Sequence, residues 1–222
     1  MKTTYFILIL TFISINCIAQ NLKFPAGVYL NLEQLKNKTP AFDANLHIIQ
    51  RTQGDIGFNG GNDYEIASNI DSIDKKFIKK TIFAYVKNDS VFLNCIHHKL
   101  STWYALGLTQ GTFIAFKGAM SNEKAGEQVG SYGALFGAIG GGIAGSNAAK
   151  KRFLYVFSLR TGNVKLLKKE YVIERLKENQ NLLDQFNAEK DQNSDSTLIK
   201  YIGLINEVIP INSPAPPQQE VK

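Results

Sequence analysis

Between Val129 and Ala149 the chain runs 21 residues, VGSYGALFGAIGGGIAGSNAA, without a charged side chain, and seven of them are glycine. Gly133, Gly137, Gly141 and Gly145 recur at a spacing of four. On an α-helix that spacing sets them in one stripe, a Cβ-free groove against which a second backbone packs closely. Charge returns at the flanks, with Glu127 before the run and Lys150, Lys151 and Arg152 after it. The rest of the fold has to be organised around this run.

Three readings of the run stay open. As a surface loop it is an insertion between two strands, consistent with the cost of about 1 kcal/mol that each interior glycine imposes on a helix. As a membrane helix, at a rise of about 1.5 Å per residue it reaches the hydrocarbon thickness of about 30 Å. As a close-packing helix it contacts a membrane, a partner or a second copy through the glycine stripe, with Leu135, Phe136, Ile139 and Ile143 as the apolar contacts. Topology weighs against the span. If the strand after the run pairs with the strand before it, both ends lie on one side of any membrane.

The remaining sequence reads as α+β: an antiparallel meander of about five strands followed by a small helical C-terminal part. Strands are expected at 24–30, 47–50, 81–86, 90–97, 101–108, 112–117 and 153–159, with the best-marked turn at Asn88-Asp89. Asn31 and Gln34 form a capping-box pattern for a short helix over 32–37. Residues 52–68, rich in glycine, asparagine and aspartate, read as an irregular loop or loose hairpin. Apolar residues then recur on helical faces: Val172, Ile173 and Leu176; Leu182, Leu183 and Phe186; Leu198, Tyr201, Ile202 and Ile205, capped by Ser194 or Ser196.

The expected organisation is a signal peptide at 1–19, one α+β domain at 20–208 with its helical part at 168–208, and a disordered tail at 209–222 containing four prolines. Lys2, the apolar run Phe6 to Ile15 and the small-x-small site Cys17-Ile18-Ala19 are the parts of a secretory signal, with cleavage expected after Ala19. Export to the periplasm, outer membrane or medium follows. A hydrophobic fraction of 44% supports a core, and the net charge of +6 sits in lysine pairs with acidic neighbours, a solvated surface rather than a nucleic-acid footprint.

Catalytic signatures are sparse, and no catalytic, cofactor or metal residue is assigned. Gly140-x-Gly142-x-x-Gly145 spells the dinucleotide fingerprint, but only six residues separate Gly145 from Arg152 at the next strand, too few for a crossover helix. Cys95 and His97 point to one side of an expected strand; with His47 or carboxylates from elsewhere they would make a metal site, and by themselves a nucleophile pair. Hence two functions are in play. The leading one is a non-catalytic exported envelope protein whose glycine-rich run contacts a membrane or partner. The alternative is a small exported hydrolase or metal-dependent enzyme using Cys95 and His97.

Gly133-Ala-Leu-Phe-Gly137-Ala-Ile-Gly-Gly141 resembles one arm of the glycine-zipper segments of bacterial outer-membrane lipoproteins. Gly27-Val-Tyr29 running to Pro40, Leu154-Tyr155 to Thr161-Gly162, and the Tyr201-Ile202 helix resemble uncharacterised exported proteins of Gram-negative bacteria. That likeness implies a compartment, with no activity attached to it.

Overall fold

Two antiparallel sheets packed face to face, with helices on both outer sides, make up the computed structural model, which describes residues 23–119 and 149–211. The strands of the first sheet are β1 (Gly27–Tyr29), β2 (His47–Gln50), β3 (Tyr64–Ala67), β4 (Ala84–Lys87), β5 (Ser90–Asn94) and β6 (Tyr104–Leu106), in the order β1-β4-β5-β6-β3-β2. The second sheet is a three-stranded meander of β7 (Phe113–Gly118), β8 (Phe153–Ser158) and β9 (Val164–Leu166). The α+β class read from the sequence holds.

Side-chain alternation explains why the central strands look apolar throughout. In β4 and β5, Ala84, Val86, Val91 and Leu93 face the space between the sheets, while Tyr85 and Phe92 face outward under a helical layer. In β7 and β8, Ile114, Phe116, Tyr155 and Phe157 face inward, and Phe113, Ala115, Leu154 and Val156 face the C-terminal helices. Both faces of each sheet are covered, so the period of two is hidden in continuous hydrophobic runs. Phe157 is fully buried, and burying a side chain of that size contributes about 1.5–3 kcal/mol.

The outer helices follow their caps. Helix α1 (Leu32–Asn37) starts where the Asn31 side chain accepts the Gln34 N–H, and Gln34 in turn accepts the N–H of Leu30, one residue earlier than a capping box requires. Helix α2 (Gln53–Asn59) and strand β3 occupy the stretch read as an irregular loop. The signal for α2 is the reciprocal cap of Thr52 and Asp55, and it was masked by the glycines around it. Helix α3 (Lys75–Lys80) is capped by Asp74. Helices α4 (Lys169–Leu176), α5 (Gln180–Asn187) and α6 (Asp195–Val208) cover the outer face of the second sheet, with Ser194 as the cap of α6 and Leu198, Tyr201, Ile202 and Ile205 all buried.

The two sheets are joined at one strand end. Beyond β6 the Gly107 N–H donates to Val91, Gly107 bridges to Phe116, and the Leu108 N–H donates to Ala115. A Cβ on Gly107 would lie 2.9 Å from the Ile114 side chain, so this close crossing requires glycine.

Candidate functional site

The eight residues singled out in the glycine-rich run, Gly133, Gly137, Gly141, Gly145, Leu135, Phe136, Ile139 and Ile143, lie outside the described residues, as do the expected signal peptide and most of the expected tail. The structure does show where the run is attached. Strands β7 and β8 are antiparallel neighbours with six register pairs from Phe113↔Ser158 to Gly118↔Phe153. Gly118 and Phe153, from which the two flanks of the run continue, are therefore neighbours at one end of the sheet. An antiparallel pair also removes the parallel crossover that a dinucleotide fingerprint needs.

Both flanks are fastened to one loop, residues 60–63. Asn62 is completely buried, and its side chain donates to the Leu100 and Thr102 carbonyls, each at 2.9 Å, while accepting the Ala119 N–H at 2.7 Å. On the returning strand, Arg152 makes an ion pair with Asp63 at 2.7 Å and donates to the Gly61 carbonyl at 3.1 Å. A third tie holds the loop from beneath: Arg51, 9% exposed, donates to the carbonyls of Gly60 at 2.7 Å and Asn62 at 2.8 Å. Gly61 has φ +83°, and a Cβ there would lie 2.5 Å from the Trp103 ring, so only glycine lets loop 60–63 run this close to residues 101–103.

The opposing segment is strained. Lys99, Ser101 and Trp103 all have positive φ, at 56°, 73° and 73°, a backbone state that costs non-glycine residues about 1 kcal/mol or more each. It is held by the Asn62 bonds, and it turns Trp103 out while Tyr104 turns in. Tyr104 is buried and its hydroxyl donates to the Ile78 carbonyl at 2.5 Å. Trp103 is partly exposed and lies among three cations, with Arg51 at 5.2 Å, Lys75 at 5.4 Å and Lys79 at 5.1 Å from its ring centre. The cations, drawn from β2's end and α3, had no sequence signal linking them to the tryptophan.

Cys95 and His97 do not form the site their spacing suggested. They lie on a 3₁₀ turn, Cys95–His98, begun by the Asn94 side chain accepting the Ile96 N–H, instead of on a strand. Cys95 is fully buried, its thiol faces the Leu93 carbonyl at 3.7 Å, and burial raises its pKa far above the ordinary thiol range. The His97 ring is engaged elsewhere: its Nε2 donates to the Ile82 carbonyl at 3.1 Å, a bond that fixes the proton on Nε2 because a carbonyl can only accept. His47, on the outer strand β2, is exposed and within hydrogen-bond distance of Asn69. Asp74 caps α3 through the Phe77 N–H at 2.6 Å. Among the described residues no group of three or more His, Cys, Asp or Glu could hold a metal ion, and no helix is long and apolar enough to cross a membrane.

The model of one family, DUF6563, described as a family of unknown function, matches residues 27–208. No curated protein and no solved structure matches the chain.

Proposed function

The chain belongs to DUF6563, a family of unknown function, and from that premise we propose that it is an exported, non-catalytic protein of the cell envelope. In this reading the two-sheet body carries the glycine-rich run 129–149 as a contact element for a membrane, an envelope partner or a second copy. The observation that carries it is the common attachment point: Gly118 and Phe153 are register partners, and Asn62 and Asp63 fasten both flanks to loop 60–63. A run fixed at both ends to one rigid place can make contact outside the body without drawing on the core.

Charge and aromatic placement support the same reading. Trp103 lies against the loop that receives both flanks, with Lys75 and Lys79 over its ring, and Lys150 and Lys151 precede Arg152 on the returning flank. Indole and ammonium groups together suit the boundary between water and an anionic surface.

The test is fractionation and crosslinking of the wild type beside the double variant Gly137→Leu/Gly141→Leu, with circular dichroism as the folding control. The expected result is a wild type cleaved after Ala19 and recovered with the envelope or as crosslinked species, and a folded variant that loses that association. Recovery of uncleaved wild type in the cytoplasm, or equal association of the folded variant, refutes the proposal.

A further inference from the structure

At the far end of the second sheet from loop 60–63, two arginines come together beside one pair of aromatic rings. Strand β8 ends at Ser158, opposite Phe113, and the Leu159 N–H donates to the Thr112 carbonyl at 2.9 Å, so Arg160 emerges beside the start of β7. Arg175 reaches the same place from the last turn of α4. Its guanidinium carbon is 5.6 Å from the Phe113 ring centre and 5.1 Å from that of Tyr171. The two rings meet edge to face, with centres 6.2 Å apart.

Three donors at this place are buried without a hydrogen-bond partner: Nε and Nη2 of Arg160, and Nε of Arg175. Nε and Nη2 of one guanidinium are parallel N–H groups, the edge that takes both oxygens of a carboxylate or two of a phosphate. Neither arginine has an ion pair among the described residues. Glu178, an exposed residue on the chain just beyond α4, is the acidic side chain whose charge acts on Arg160, and no hydrogen bond or ion pair joins them. Desolvation first, and the neighbouring Arg175 charge second, push the Arg160 pKa down. Partly buried cations whose donors lack a partner raise the energy of the fold, and an anion between them relieves that cost.

We propose that Arg160 and Arg175, the latter seated on the Phe113–Tyr171 ring pair, form a binding site for an oxyanion, either a carboxylate or a phosphate group. Arg160 grips two oxygens through Nε and Nη2, and Arg175 donates through Nε while its plane rests on the rings. This site is distinct from loop 60–63 and independent of what the glycine-rich run contacts.

The experiment titrates the full chain separately with inorganic phosphate and with acetate at constant ionic strength held by sodium chloride. Calorimetry and the Nε–H resonances of Arg160 and Arg175 in ¹H–¹⁵N spectra report binding. Saturable binding of either probe that shifts both resonances and weakens about tenfold or more in Arg160→Lys, which keeps the charge and loses the fork, is the expected result. Whichever probe saturates at the lower concentration identifies the ligand class. Arg160→Gln serves if Arg160→Lys does not fold, and Glu178→Gln is expected to leave binding intact. Failure of both probes to saturate, or the same affinity in a folded Arg160 variant, overturns the proposal.

Discussion

Replacing Asn62 by alanine removes three hydrogen bonds from a side chain with no exposed surface. The Thr102 carbonyl keeps a partner, since the Asn62 backbone N–H also donates to it at 2.9 Å. The Leu100 carbonyl and the Ala119 N–H lose the partner that the Asn62 side chain supplies. An unmade bond at a buried group costs about 1–3 kcal/mol; two such groups give a loss of about 3 kcal/mol, with the spread set by how far the loop relaxes. Against a total stability of about 5–15 kcal/mol, that is a large fraction, and for a chain of this size it lowers Tm by about 6–12 °C. Urea unfolding of wild type and Asn62→Ala measures the loss, and amide exchange at Ala119 locates it, because that N–H, just beyond β7, loses its protection. A folded variant that loses less than about 1 kcal/mol, or retains protection at Ala119, refutes the idea that Asn62 joins loop 60–63 to the departing flank.

Cys95 is expected to resist thiol reagents in the folded protein and to react fully on unfolding, because burial withholds both access and the thiolate; rapid labelling of the native chain contradicts this and favours the enzyme alternative. The partly buried Asp63–Arg152 pair is expected to show a coupling of about 1–2 kcal/mol in a double-mutant cycle, and a coupling near zero removes the tie on the returning flank. For His97, burial outweighs the Ile82 bond and lowers the pKa below the ordinary 6.5, so the folded state takes up its proton less readily than the unfolded one. Its contribution is therefore constant above the ordinary histidine value and falls as pH drops below it; an NMR titration midpoint at or above 6.5 contradicts the assignment.

Strand existence was legible wherever turn chemistry bracketed an apolar run, as at Asn88-Asp89, both with positive φ, and helices were legible where one face alone is buried, as in α6. The split into two sheets was not, because β4, β5, β7 and β8 are covered on both faces and their runs carry no hint of which neighbour they pair with. The turn at Cys95–His98 was read as strand because its side chains are strand formers, while the deciding group, Asn94 capping Ile96, acts through the backbone. Loop 60–63 gave only its glycines in advance. Its partners Arg51, Thr102, Ala119 and Arg152 come from four distant stretches, and long-range hydrogen bonds leave no periodic trace in a sequence. Arg160 and Arg175 were invisible for the same reason, being two unremarkable basic residues until β8 and α4 bring them together.

The attachment at Gly118 and Phe153 has a consequence for how this protein can change. Closing a chain segment between two fixed ends costs conformational entropy that grows only with the logarithm of its length, about 0.6 kcal/mol for each doubling. A flexible insert joined at those ends could therefore double in length for less free energy than a single buried hydrogen bond mismatch costs. Six paired residues on each strand, with Asn62 and Arg152 at the mouth, set the ends' separation whatever lies between them. The junction can thus hold inserts of different length and composition while β7 and β8 keep their register.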